Sequence, residues 1–286
     1  MKKIGVTTEC VCDLPENYFE KHEVPVVYFY ITTETGRFRD VYEVTAGNMI
    51  EYLEQGKKRV QTNAPEVKEF MTFFAQQLKQ YEQIIHIGIT DQVSLSYRNA
   101  LEAVSLMGEE GKRIHLVDSG HLSTGMGFVV IKAVELRDAG KSVSDIIAEL
   151  DVMKKRISTS FIAPDAEYLY QNGKVGKLSR NICRAFQLHP ILKMKNGKIS
   201  LGGFKVGHYH RAVLRYVREE LKRENNIQKD RIFITHTGCP VRFINEVKEE
   251  VAAHGPFEKV IVTKASATIS CNCGVETLGV LYQMKE

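Results

Sequence analysis

Four of the six cysteines in this 286-residue chain form two C-x-C pairs. Cys10 and Cys12 lie in "ECVCDLP" at residues 9–15, and Cys271 and Cys273 lie in "SCNCGVE" at residues 270–276. Such thiols have three uses. Four thiolates at one place could hold zinc or iron. Paired thiols could cycle through a disulfide. Cysteine is also a small, weakly polar and mostly buried filler. On extended chain both thiols of a C-x-C point to one side, but the pair lacks the tight turn of C-x-x-C. Pocket lining is the reading adopted. Metal or redox use of Cys10, Cys12, Cys271 and Cys273 is kept as the alternative, with no metal or cofactor expected.

Two polar stretches suggest different chemistry. "VQTNAPEV" carries Thr62 and Asn63 ahead of Pro65, and "GITDQVSLSYRNA" carries Ser94 and Ser96 ahead of a helix. In an open α/β sheet, ligands sit outside the carboxyl ends of the strands. Hydroxyls and unpaired N–H groups at a helix start can hold an anion without any charged side chain. The plainer role for Thr62 and Ser94 is helix capping. No G-x-x-x-x-G-K-[ST], H-E-x-x-H or G-x-S-x-G is present. Gly125 and Gly127 of "TGMGFVV" resemble half a dinucleotide fingerprint without its third glycine, and read instead as close helix packing. His208 and His210 read as exposed histidines rather than a metal pair.

Strand-like and helix-like runs alternate along the chain to position these residues. "KKIGVTT", "VPVVYFYIT", "QIIHIGI" and "RIHLVDS" read as strands. "DLPENYFEKH" reads as a helix capped by Asp13, and "TAGNMIEYLEQG" as one running from Thr45 to Gly56. "APEVKEFMTFFAQQLKQY", "SLSYRNALEAVSLM", "GMGFVVIKAVELRDAG" and "VSDIIAELDVMKKR" complete the helices. This rhythm predicts an N-terminal domain, residues 1–158, with a parallel sheet between helices. The rhythm then changes. "ISTSFIA", a short helix "AEYLYQNG", a hairpin turning at Asn196-Gly197, two amphipathic helices and the strands "RIFITHTG" and "KVIVTKAS" predict a C-terminal α/β domain with a mixed sheet, residues 159–286.

The net charge of +4 conceals an uneven distribution. Residues 168–218 hold eleven Lys and Arg and no Asp or Glu, leaving about −7 for the rest by difference. A basic block of this kind faces solvent or an acidic partner. Sparse aromatics argue against nucleic acid. No apolar run approaches the ~18 residues of a membrane span. "MKKIGVTTEC" lacks the apolar segment of a signal peptide, so a cytoplasmic protein with reduced thiols is expected.

Several spaced segments together resemble the DegV family, bacterial fatty-acid-binding proteins that include the lipid-presenting subunit of fatty acid kinase. "ECVCDLP" is similar to the family's D-S-T-A-D-L-P. "FRDVYEVTAGNMIEYLE", "QTNAPEVKEF", "VSLSYRNA", "VDSGHLSTGMG", "EYLYQNGKVGK" and "HPILKMKNGKI" resemble further family stretches in the same order. The resemblance implies two α/β domains, no catalysis by this chain, and a long-chain fatty acid whose tail lies in an apolar tunnel. It places the carboxylate on Thr62 and Ser94, with Asn63, Leu95, Cys271, Asn272 and Cys273 in the headgroup neighbourhood. It further implies an ATP-dependent fatty acid kinase as partner, and the basic stretch from Lys174 to Arg218, with Lys177 and Arg180, is expected to dock an acidic protein of this kind. The chain departs from the family pattern at four places. In "SCNCGVE" Asn272 stands where a His is usual and Cys271 and Cys273 where small or hydroxyl residues are; Asn63 stands where a Ser is, Leu95 where a Gly is, and Gly207 where a docking Arg is expected. A small-molecule kinase or transferase relative is the remaining alternative, opposed by the missing nucleotide motif.

Overall fold

The computed structural model describes residues 2–55, 60–167, 181, 183, 185–222 and 224–286. In chain order, the first elements are β1 (Lys2–Glu9), α1 (Glu16–Lys21), β2 (Val26–Val27), β3 (Tyr30–Thr33), β4 (Gly36–Arg39), α2 (Ala46–Glu54) and β5 (Gln61–Asn63). Then come α3 (Val67–Gln77), β6 (Tyr81–Gly88), α4 (Ser96–Leu106), β7 (Ile114–Asp118), α5 (Ser123–Asp138), α6 (Val143–Met153) and β8 (Ile157–Ile162). The remainder are β9 (Leu188–Lys195), β10 (Lys198–Val206), α7 (Tyr209–Leu221), β11 (Ile227–His236), α8 (Val241–Ala252), β12 (Val260–Lys264), α9 (Ala267–Cys273) and β13 (Leu278–Met284).

The chain divides into two compact units. One comprises Met1–Glu43, Gln61–Lys155 and Asn196–Lys198, and the other comprises Val44–Val60, Arg156–Lys195 and Ile199–Glu286. In the first unit a four-stranded sheet has the order β2-β1-β6-β7, and every pairing is parallel. Phe70 and Phe74 of α3 and Ala100 and Ala103 of α4 pack on Tyr81, Ile84 and Ile114 of the sheet. Helix α5 packs on β1, β6 and α6, and is buried almost all round. A helix enclosed in this way needs no polar face, which explains the unbroken run "GFVVI". A separate three-stranded sheet, β4-β3-β5, is antiparallel.

The second unit has a six-stranded sheet of order β10-β9-β8-β13-β11-β12. Only β11 and β12 are parallel among its registered pairs; β8-β9, β8-β13 and β11-β13 are antiparallel. Ala212, Val213, Tyr216 and Val217 of α7 and Phe243, Ile244 and Val247 of α8 form its core with Ile162, Ile232, Ile234 and Val280. Tyr216 is fully buried, and its hydroxyl is satisfied by Ser160 Oγ at 2.8 Å and by the Val280 N–H at 3.2 Å.

Three expectations differ from the structure. "VPVVYFYIT" is not one strand: it breaks into β2 and β3, which join different sheets. Asp13 does not cap α1. It adopts a left-handed conformation (φ 51°), and Pro15 takes the cap position instead; an N-cap is ordinarily extended. Strand β13 is absent from the expected strands, although it lies between β8 and β11 inside its sheet. Six of its seven residues are buried. Burial on both faces leaves no apolar–polar alternation to signal a strand. Most of "AEYLYQNG" lies outside the described residues.

Candidate functional site

Ser94 belongs to the connection between β6 and α4, at the carboxyl end of the parallel sheet. Its Oγ accepts the backbone N–H of Ser96, the first residue of α4, at 3.2 Å. With the oxygen occupied as an acceptor, the hydroxyl proton is the group Ser94 can offer to a ligand. Leu95 beside it is 63 % exposed, so it is no core filler and its side chain lies at the surface of this loop. The turn Asn196–Gly197 counts with the same unit. A Cβ at Gly197 (φ 76°) would stand 2.8 Å from Thr90 Oγ1. A side chain is excluded there both by space and by the left-handed backbone.

Thr62 is held differently. It does not follow a parallel strand but lies within β5, opposite the fully buried Ile31 of β3. Directly opposed residues share a face, so Thr62 is on the Ile31 side, and Asn63 is on the other. There Asn63 Oδ1 accepts the Thr32 hydroxyl at 2.9 Å. The polypeptide then enters α3, where the Glu69 carboxylate accepts the Glu66 N–H at 2.6 Å. Asn99 of α4 donates from Nδ2 to the Pro65 carbonyl at 2.7 Å. That bond ties the start of α4, which comes after Ser94, to the segment that comes after Thr62.

Behind Ser94 is a buried polar group that reading the sequence overlooks. Glu9 ends β1 and has no solvent exposure. Its Oε2 accepts the Ile89 N–H at 2.8 Å, and its Oε1 accepts the Ser96 hydroxyl at 2.5 Å. His86 Nε2 lies 4.0 Å from Oε1, and His86 Nδ1 is paired with Thr7 Oγ1 at 2.9 Å. The signal that could have found it is a Glu at the end of an apolar strand, a costly residue to bury unless donors converge on it.

Neither C-x-C pair has the extended geometry expected of it. Cys10–Cys12 forms a 3-10 turn and Cys271–Cys273 ends α9. Residues two apart are rotated by about 240° in a 3-10 helix and by about 200° in an α-helix, so the two thiols of each pair diverge. The chain turns rather than extends here because each pair lies where one element gives way to a connection. Burial raises the Cys10 thiol well above its ordinary range, with the Asp40 carboxylate adding to the effect. Burial likewise pushes Cys12 up to about 12. Thiols held protonated in this way are poor nucleophiles, which opposes redox chemistry. Phe29 N–H donates to Cys10 Sγ at 3.3 Å. No group of three or more His, Cys, Asp or Glu is placed to hold a metal among the described residues.

In the second unit Cys271 and Cys273 are buried, and Asn272 Nδ2 donates to the Thr268 carbonyl at 2.8 Å. Helix α9 packs on α2, whose start is set by Thr45 and Asn48. Thr45 Oγ1 donates to Asn48 Oδ1 at 2.7 Å and accepts the Asn48 N–H at 3.3 Å. In the first unit Gly127 fills the close-packing role expected of it: a Cβ there would come 2.8 Å from Leu14 Cδ2 and 3.0 Å from the Cys12 carbonyl. Lys177 and Arg180 lie outside the described residues. Elsewhere in the basic block, Lys193 pairs with Glu220 at 2.5 Å, Lys205 with Glu219 at 2.5 Å and Arg218 with Glu250 at 2.7 Å. The stretch is therefore neutralised in part from within its own unit. His210 stacks on Phe243 with ring centroids 4.0 Å apart, a packing role. No helix among the described residues is long and apolar enough to cross a membrane.

Comparison with known proteins extends over the whole chain. A family model described as "Uncharacterised protein, DegV family" matches residues 3–285. A DegV domain-containing protein of Caldanaerobacter subterraneus is 25 % identical over 286 residues, covering 100 % of both chains. One of Deinococcus radiodurans is 26 % identical over 200 residues, 70 % of each chain. Among solved structures, a DegV family protein of Thermus thermophilus, described for its fatty acid binding, superposes with a TM-score of 0.85 at 23 % identity, over 99 % of each chain. DegV of Bacillus subtilis, described as a fatty acid binding protein, does so at 0.82 and 22 % identity, over 100 % of each chain. A stearic acid-binding protein of Eubacterium ventriosum reaches 0.85 at 21 % identity, over 100 % of this chain and 99 % of its own. With its two α/β units matched from end to end, this chain belongs to the DegV family.

Proposed function

We propose that this protein binds a long-chain fatty acid, with the carboxylate accepting hydrogen bonds from the Thr62 and Ser94 hydroxyls and the acyl chain in an apolar tunnel. The observation that carries the reading is the Asn99–Pro65 hydrogen bond of 2.7 Å. It ties together the two polar segments whose hydroxyls would share one carboxylate. Relatives of the same fold, described as binding fatty acids, support the ligand class. Hydroxyl donors suit a carboxylate ligand, because each bond to it contributes about 1.5–3 kcal/mol, while the tail contributes about 0.8 kcal/mol per buried CH₂. Leu95, exposed beside Ser94, borders the headgroup site where the family has Gly, whereas Asn63, in place of the family's Ser, faces away from Thr62 across β5. The sequence has no phosphate loop. In this reading the protein is a carrier, and any acyl-phosphate chemistry belongs to an ATP-dependent kinase to which the acid is presented.

Calorimetric titration with a defined fatty acid and with its methyl ester tests the proposal. The acid is expected to bind at least tenfold more tightly, the equivalent of about 1.4 kcal/mol. Equal affinity for acid and ester would remove the carboxylate site.

A further inference from the structure

We infer that Glu9 is a positioning residue for the headgroup, acting on Ser94 through Ser96. The inference rests on the carboxylate site proposed above, and adds to it the element that sets the direction of one donor.

A single buried carboxyl group holds both ends of the connection that carries Ser94. Where the connection leaves β6, Oε2 accepts the Ile89 N–H at 2.8 Å; where it joins α4, Oε1 accepts the Ser96 hydroxyl at 2.5 Å. Ser96 is fully buried and is held at two points, because its N–H also donates to Ser94 Oγ at 3.2 Å. The chain of bonds therefore runs from Glu9 to Ser96 to Ser94. A turn between two exposed loop residues would let the Ser94 hydroxyl swing among rotamers. Here the Ser96 N–H occupies a lone pair of Ser94, and the position of Ser96 is fixed by a group in a different strand.

The surroundings suit a clamp rather than a ligand contact. Gly88 lies beside the carboxylate: a Cβ there would be in ordinary contact with Glu9 Oε1 at 3.4 Å and 3.3 Å from the Tyr97 ring. His86 stands on the adjacent strand, held through Thr7. Glu9 is sealed from solvent, so it reaches a ligand only through the loop it holds. Pre-setting a donor before binding raises affinity by removing the cost of ordering it later.

Glu9→Ala strands two buried donors and can cost the fold, so Ser96→Ala carries the test. It removes one hydroxyl and leaves the Ser94 side chain and the residue-96 N–H in place. Affinity for a fatty acid and for its methyl ester is measured by calorimetry for wild type, Ser96→Ala, Ser94→Ala and the double variant. Ser96→Ala is expected to weaken acid binding roughly tenfold and leave ester binding unchanged, and to add nothing in the Ser94→Ala background, since coupled residues are not additive. An equal loss for acid and ester, or a full additional loss on top of Ser94→Ala, assigns Ser96 a merely structural role and overturns the inference. Unchanged acid binding in Ser96→Ala overturns it too, with the carboxylate site intact. A wild type that does not distinguish acid from ester removes the site itself and the inference with it.

Discussion

Glu9 and His236 occupy equivalent places in the two units: each is the last residue of a buried strand, and each side chain accepts a backbone N–H. They differ in reach. His236 Nδ1 accepts the Cys239 N–H at 3.1 Å, closing the turn that its own strand begins. Glu9 takes its two donors from Ile89 and Ser96, which lie beyond another strand and in another helix. A local acceptor stabilises a turn and leaves the rest of the unit indifferent to it. A long-range acceptor couples distant segments, and the segment Glu9 holds carries a candidate donor. A buried polar group is thus informative about function according to which parts of the chain it joins.

The largest effect should come from the site served by the long-range clamp. Thr62→Ala combined with Ser94→Ala removes two bonds to a charged group, at about 1.5–3 kcal/mol each. Acid affinity should fall at least ~100-fold, with ester binding retained. Calorimetry on the double variant checks this, and wild-type affinity would leave Thr62 and Ser94 as structural hydroxyls only.

The local acceptor should reveal itself through pH. Burial pushes His236 from 6.5 down to about 4, with Lys264 adding to the effect. The folded protein therefore holds the neutral ring, whose Nδ1 lone pair accepts from Cys239. A depressed folded pKa means the contribution is complete above pH 6.5 and is lost as pH falls toward 4. At roughly 1.4 kcal/mol per pH unit, the loss comes to about 3 kcal/mol. Urea titrations across that window should show the slope, and His236→Asn, which keeps an acceptor without a titrating ring, should flatten it. An unchanged slope in the variant would place the acid sensitivity elsewhere.

A third change probes the rigidity of the turn after Glu9. Gly127→Ala forces a methyl group against Leu14 and the Cys12 carbonyl. Overpacking of this kind costs about 1–3 kcal/mol. Chemical denaturation measures it; a neutral result would mean the turn yields easily and that Glu9 has a soft support. The smallest effect is expected at Asn63. Asn63→Ala loses one exposed bond to Thr32. Stability should change by no more than about 0.5 kcal/mol. A larger loss would show that the Thr62 strand depends on a side-chain clamp as the Ser94 loop does.

Much of this molecule is legible from periodicity. The parallel sheet follows from short apolar runs that alternate with helices, α3, α4 and α6 from the 3.6-residue period, and the Asn196-Gly197 hairpin from turn chemistry. The two hydroxyl segments are legible as well, through residue type and position ahead of helices. The cysteine geometry is not, because C-x-C carries no conformational preference strong enough to choose between a strand and a helical turn. Nor is β13, whose burial on both faces erases alternation.

Local sequence therefore sets which segments become strands and helices, where turns fall and which hydroxyls stand before helices, since these depend on interactions within a few residues. Folding in three dimensions settles other matters: that Val44–Val60 groups with the second unit, that "VPVVYFYIT" is shared between two sheets, and that Glu9 meets Ser96. Each of those outcomes depends on residues far apart in the chain competing for the same buried surface or the same hydrogen-bond donor. No local pattern encodes the winner of that competition.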